Sequence, residues 1–201
     1  MLVPRERIPG ERRVAATPET IRRLTAKGLG FQVEQGAGAA AGFLDEDFAE
    51  AGATLVSSEA LPWEAVDGVV CLHPPEIEAL QRLRQGTVLI GLLSPYGAHQ
   101  MVEALCHRRV ASIALELLPR ISRAQSMDVL SSQANIAGYK AVLLAAAALD
   151  RYVPMLMTAA GTIQPARVLV LGAGVAGLQA VATAKRLGGI VYVSDVRPAV
   201  K

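Results

Sequence analysis

The sequence predicts an α/β protein of two parallel-sheet domains, and three observations predict it. Strand-like apolar runs alternate with helix-like stretches through the first 125 residues, as in a parallel sheet covered by helices. From residue 165 there follow a strand, a glycine-rich turn, a helix and a second strand. Between these regions, 126–164 carry one long alanine-lined helix and a connector. The expected boundaries are 1–125 for an N-terminal α/β domain, 126–164 for the link, and 165–201 for the start of a second domain.

Each element of the first domain has a local reason. A short apolar start precedes ERIPGERRVAATPE. Thr17, Pro18 and Glu19 mark a helix start, with Thr as N-cap and Pro in the first turn, and Gly28 closes that helix. Residues 31–34 are a strand candidate. The QGAGAAAG that follows reads as a glycine-alanine loop and not a phosphate turn, since no long buried strand precedes it. Asp45 is expected to cap a helix through Glu50, and 54–56 to form a short strand. Then 67–72 read as a buried strand, 75–84 as a helix, 87–93 as a strand, 98–108 as a helix and 110–116 as a strand.

At 117–128, LLPRISRAQSMD gathers Arg120, Arg123, Gln125, Ser126 and Asp128 where one domain hands over to the next. Clefts between domains are favoured ligand sites. A ligand carboxamide has an oxygen that accepts and an NH₂ that donates, so an Arg paired with an Asp would fix its orientation, with Gln125 bridging to a second group. The same residues equally make an ion pair stapling the loop, with Ser126 or Asp128 capping the helix. That helix is expected over 127–150, with Ala134, Ala137, Ala141, Ala145 and Ala148 admitting close packing. Tyr139 and Lys140 fall at its edges, and 152–162, with Pro154 and Gly161, form the connector.

The second domain opens with RVLVLGAGVAGLQAVATAKRLGGIVYVSD. The apolar run 168–171 reads as a strand buried in a parallel sheet, and Gly172, Gly174 and Gly177 follow it as GAGVAG. The first glycine permits a tight turn, the second lets a pyrophosphate approach the backbone, and the third lets helix and strand lie close. The N–H groups of Val175 and Ala176 stand at the positive end of the helix, where phosphates bind. Ala176, Ala180 and Ala184 keep the helix slim, Gly188 and Gly189 end it, and 190–193 form a second buried strand that leads to Asp195. An acid about 20 residues past the glycines is placed to grip a ribose 2′-hydroxyl and to repel a 2′-phosphate. The reading is the start of a Rossmann NAD-binding domain, NAD favoured over NADP, against a purely structural βαβ unit. Arg197 either softens that preference or is a solvated loop residue.

Composition narrows the rest. The hydrophobic share is 52%, ample for a core, and the net charge is +2. No basic block interleaves with aromatics, so nucleic acid is not an expected partner. Sixteen Arg against four Lys and a single Asn, Asn135, hint at a GC-rich or thermophilic source. Cys71 and Cys106 have no metal or redox spacing and are expected to be reduced core thiols of a cytosolic protein. No signal-peptide core is present, and the longest apolar run, 141–149, is too short to span a bilayer.

Four motifs carry a specific resemblance: PGERRVAATPE, GAGAAAGFLDEDFAEAGA, PRISRAQSMDVLSSQANIAGYKAV and VLVLGAGVAGLQAVATAKRLG. In them, over nearly its whole length, the chain resembles the NAD(H)-binding alpha subunit, or its N-terminal part, of proton-translocating NAD(P) transhydrogenases, a family related to alanine dehydrogenase. RISRAQSMD is the most specific, because alanine dehydrogenases differ there. The resemblance implies an N-terminal domain of the flavodoxin-like, dehydrogenase catalytic type. It also implies that Arg120, Gln125, Asp128 and Ser131 surround the nicotinamide end of NAD(H), with Gln125 reaching towards the partner nucleotide. A partner component would hold NADP(H), and membrane-spanning components would attach this span-free, dimeric subunit to the cytoplasmic membrane.

Hydride transfer between stacked nicotinamides moves no proton to or from a heteroatom, so it needs proximity and orientation and no general acid or base. An amino-acid dehydrogenase needs a positioned Lys or His and an Arg for the substrate carboxylate. At the positions where alanine dehydrogenases carry the Lys and the His, this chain aligns His73 and Ser94. Arg13 matches the Arg, which both families share. His73, before Pro74 and Pro75, is expected to end a strand, and His99 and His107 to lie on a helix surface. Members of the family continue well past residue 201, so the chain is expected to be a fragment or truncated product that binds NADH poorly alone. The alternatives are an alanine-dehydrogenase-like enzyme and a non-catalytic NAD-binding protein.

Overall fold

The structure is a computed structural model describing residues 1–198. The chain divides into two compact units, Met1–Met127 and Asp128–Lys201. The first unit is built on a six-stranded parallel sheet in the order β3-β2-β1-β4-β5-β6. Its strands are β1 (Leu2–Val3), β2 (Gln32–Glu34), β3 (Thr54–Val56), β4 (Gly68–Val70), β5 (Val88–Gly91) and β6 (Ala111–Ala114). Helices α1 (Pro18–Thr25), α2 (Asp45–Glu50), α3 (Ile77–Arg82) and α4 (His99–Arg108) connect them. The α/β class and the parallel sheet are as the sequence predicts. The apolar start, however, is more than a lead-in: it is the central strand, with Leu2 opposite both Gln32 and Val69.

Alternation along that strand divides the core. Successive side chains of a strand point to opposite faces. Leu2 accordingly packs with Val69, Leu80, Leu89 and Met101, while Val3 packs with Ile21, Phe31, Val33 and Phe48. Both residues are fully buried, each contributing about 1.5–3 kcal/mol of apolar burial. Thr17 caps α1 as expected, its Oγ1 accepting from Thr20 N–H at 3.3 Å. Asp45 does not cap α2. Its carboxylate turns back to accept from Gly36 N–H at 2.8 Å, while Asp47 accepts from Leu44 N–H at 2.7 Å. Cys71 is buried as expected, its thiol pushed up to about 12 by desolvation. Cys106 is exposed, because its position on α4 lies beside the face carrying Met101 and Leu105 into the core and not on it.

The second unit begins with α5 (Val129–Ala147), shorter at both ends than the expected 127–150 helix. The connector holds an unforeseen antiparallel hairpin, β7 (Leu156–Thr158) with β8 (Gly161–Ile163). Then come β9 (Arg167–Leu171), α6 (Val175–Arg186) and β10 (Ile190–Ser194), with β9 and β10 parallel. Helices α5 and α6 meet closely. A Cβ on Gly138 would lie 2.0 Å from the Ala176 carbonyl oxygen, so only a glycine permits this approach. The expectation that β9 and β10 are buried is not met: Leu169 is 64% and Leu171 78% exposed. The described residues form a two-stranded sheet with α6 against it, which leaves those side chains uncovered.

Candidate functional site

The glycine turn is formed as its spacing requires. Gly172 takes a φ of +95°, where L side chains are strained. Gly174 is the N-cap of α6, and a Cβ there would meet nothing within 4 Å, so the space above the turn is open. At Gly177 a Cβ would fall 1.8 Å from the Gly172 carbonyl oxygen. The first bond of the helix ladder runs from Leu178 N–H to the Gly174 carbonyl at 2.8 Å. The N–H groups of Val175, Ala176 and Gly177 therefore lie ahead of the ladder, at the end suited to phosphate.

Asp195 stands just past β10 and closes on this turn. Its Oδ2 accepts from Ala173 N–H at 2.7 Å and from Arg197 Nη2 at 2.8 Å, and its Oδ1 from Arg197 N–H at 2.8 Å and Nε at 2.9 Å. The Arg197 guanidinium, aided by the Ala173 and Arg197 N–H groups, holds the carboxyl well below the ordinary carboxylate range. Arg197 is thus no simple solvated loop residue.

Asp128 and Ser131 are also brought together. Asp128 is the N-cap of α5, accepting from Ser131 N–H at 2.9 Å and from Ser131 Oγ at 2.6 Å. Arg120 and Gln125 belong to the first unit, both exposed, Gln125 within a 3₁₀ segment Ser122–Met127.

The first unit has a polar cluster of its own at the carboxyl ends of its strands, beside the switch point between β1 and β4, where open α/β sheets place ligands. Glu11 binds the Arg13 guanidinium at 2.8 and 2.6 Å and His73 Nε2 at 2.9 Å. His73 therefore does more than end a strand; it ties the loop after β4 to the loop after β1. Glu6 accepts from Leu72 and His73 N–H groups at 2.6 and 3.1 Å, and Ser94 N–H donates to Glu116. A cavity of about 360 Å³ adjoins Arg5, Arg7, Glu11 and Arg13. Sequence reasoning missed Glu34, which is fully buried and accepts from Arg5 N–H, Arg7 and Ser58 Oγ. Its place as an acid ending the strand candidate 31–34 was the available signal.

Glu11 gives the first unit an acid-sensitive element. Arg13, through its guanidinium and N–H, and then His73 depress the Glu11 carboxyl far below its ordinary value, against the opposing effect of burial. A carboxylate depressed in the folded state adds stability above its unfolded pKa, and that stability is lost as pH falls below it. Stability should therefore decline from about pH 4.5 downward. Glu11→Gln should flatten that acid limb in pH-dependent urea melts; an unchanged limb contradicts this.

A doubly wound sheet followed in the chain by a strand, glycine turn, helix and acid-tipped strand is the architecture of the nucleotide-binding dehydrogenase class. The chain belongs to the alanine dehydrogenase/PNT family: residues 2–137 match its N-terminal domain and 141–201 its C-terminal domain. It is 50% identical to the first of the parts into which the NAD(P) transhydrogenase alpha subunit of Rhodospirillum rubrum is named, over 99% of this chain and 53% of the relative. A crystal structure of transhydrogenase from Sinorhizobium meliloti matches 100% of this chain and 60% of its own, with 44% identity and a TM-score of 0.93. Alanine dehydrogenase of Staphylococcus saprophyticus is 30% identical over 98% of this chain and 53% of that protein. The chain thus spans about half the length of the curated relatives it matches. Among the described residues no helix is long and apolar enough to cross a membrane.

Proposed function

We propose that this chain is the NAD(H)-binding part of a transhydrogenase alpha subunit. NADH held here would pass hydride directly to NADP⁺ on a partner component, coupled to proton translocation. The observation that carries the reading is the 50% identity to the Rhodospirillum rubrum transhydrogenase alpha chain along 99% of this one, against 30% to an alanine dehydrogenase. That relative's name, which makes it one part of a subunit, supports further components. The resemblance adds a dimer, peripheral to the cytoplasmic membrane through membrane-spanning partners.

The residues fit a dinucleotide. Open space over Gly174 and the N–H groups opening α6 suit a pyrophosphate, and Asp195 suits the adenosine ribose. Bound NADH supplies the hydride; the chain's task is to hold and orient it, which Asp128, Ser131, Arg120 and Gln125 are proposed to do at the nicotinamide end. An alanine dehydrogenase reading meets a specific obstacle. Arg13, which would take a substrate carboxylate, is already forked by Glu11, which also holds His73 at the position of the alanine dehydrogenase Lys, and Ser94 stands where those enzymes carry the His.

The test uses a full-length version with its partner component. NADH-dependent reduction of an NADP analogue is expected, and Gln125→Ala or Asp128→Ala should slow transfer while NADH binding persists. Pyruvate- and ammonia-dependent NADH oxidation would establish the alanine dehydrogenase reading instead. Transfer unchanged by both substitutions would leave a non-catalytic nucleotide-binding role.

A further inference from the structure

A carboxylate has two oxygens and about four acceptor positions. On Asp195 four donors, all within 2.7–2.9 Å, already occupy them. Two of these donors are backbone N–H groups, Ala173 in the turn and Arg197 itself, and cannot leave without moving the chain. The other two belong to the Arg197 guanidinium, whose side chain is 58% exposed while that of Asp195 is 8% exposed. A ribose 2′-hydroxyl donating to Asp195 must therefore displace the guanidinium.

We propose that Arg197 is an exchangeable occupant of the ribose position and thereby sets cofactor discrimination. While it sits on Asp195 it competes with the ribose hydroxyl and lowers affinity for an unphosphorylated adenosine. Once displaced it remains beside the acid, where a planar, always charged fork offsets the repulsion of a 2′-phosphate. Arg197 thus narrows a preference that Asp195 alone would make wide. The inference rests on the reading that this turn holds a dinucleotide.

ADP-ribose and its 2′-phosphate probe this without the nicotinamide end. Binding to a full-length version of the protein is followed through the amide NMR signals of residues 172–177 and the Arg197 Nε–H signal. In the wild-type chain, ADP-ribose should shift the Nε–H signal as the fork is released. Arg197→Met should tighten ADP-ribose, weaken the 2′-phosphate, and widen their affinity ratio at least about tenfold, the equivalent of one decade in Kd. Arg197→Lys, which keeps charge without the fork, should tighten ADP-ribose and leave the 2′-phosphate tolerated.

An unchanged ratio in Arg197→Met overturns the proposal, as does equal weakening of both ligands in both variants. A wild-type Nε–H signal that stays fixed while residues 172–177 respond to ADP-ribose overturns it without any variant. If neither ligand moves those amides in any form of the chain, the dinucleotide reading itself falls, and this inference with it.

Discussion

Gly177→Ala is expected to destabilise the second unit by about 3 kcal/mol or more, in the range reserved for severe overpacking or strain. Two effects oppose each other. Alanine is a better helix former than glycine by about 1 kcal/mol, and Gly177 lies inside α6. Against this, the new Cβ would stand 1.8 Å from the Gly172 carbonyl oxygen. That atom is backbone in a turn whose φ is already +95°, so it cannot swing aside like a side chain. The clash wins. Helix α6 would have to shift away from β9, disturbing its contact with α5 as well. Hydrogen exchange of the β9 and β10 amides, with urea melts followed in parallel, reads the loss; wild-type protection in the variant would refute it. Gly174→Ala is the contrasting control. With open space around it and a φ of −78°, the change should be confined to the poorer N-cap, about 1 kcal/mol, while a dinucleotide's approach to the turn should be hindered.

The second large effect belongs to the first unit. Glu34→Ala is expected to cost about 1–3 kcal/mol, the range for loss of a partner by buried polar groups. Glu34 has no exposed surface and serves Arg5 N–H at 2.7 Å, Ser58 Oγ at 2.6 Å and Arg7 Nη2 at 2.5 Å. Arg7, with its side chain 50% exposed, can return to water and limits the loss. Arg5 and Ser58 are exposed residues too, and the cavity they share with Trp63 and Leu61 gives their donors some access to water, which limits the loss further. Glu34→Gln should cost less, since an amide oxygen still accepts. Denaturation curves that place Glu34→Ala within about 0.5 kcal/mol of wild type, the ordinary surface range, would contradict this account.

How much was legible follows from the range of the interactions concerned. The glycine turn was readable because each of its requirements is local: a left-handed residue at 172, a missing Cβ at 177, an acid beyond the next strand. Thr17 was readable for the same reason. Asp45 misled, since the choice between capping α2 and reaching Gly36 depends on how the preceding loop folds back. The two-residue β1 was too short to show a period, and only its neighbours β2 and β4 reveal it as a strand. The exposure of β9 and β10 follows from what covers a sheet, which a run of Val and Leu does not state. The fork of Arg197 on Asp195, although only two residues separate them, turns on rotamers that spacing leaves open.

The central position of β1 also bears on the order of events as the protein folds. Leu2 is made before both strands that flank it, which pair with it at Gln32 and Val69. The middle of the sheet therefore cannot close until a long stretch of chain has emerged, and every ladder in it joins distant residues. Parallel, non-local pairing of this kind folds slowly and leaves apolar surface uncovered while it waits. For this protein the hazard of aggregation lies in the interval before residue 70 is available, when Val3 can already join Phe31 and Phe48 but Leu2 has no core to enter.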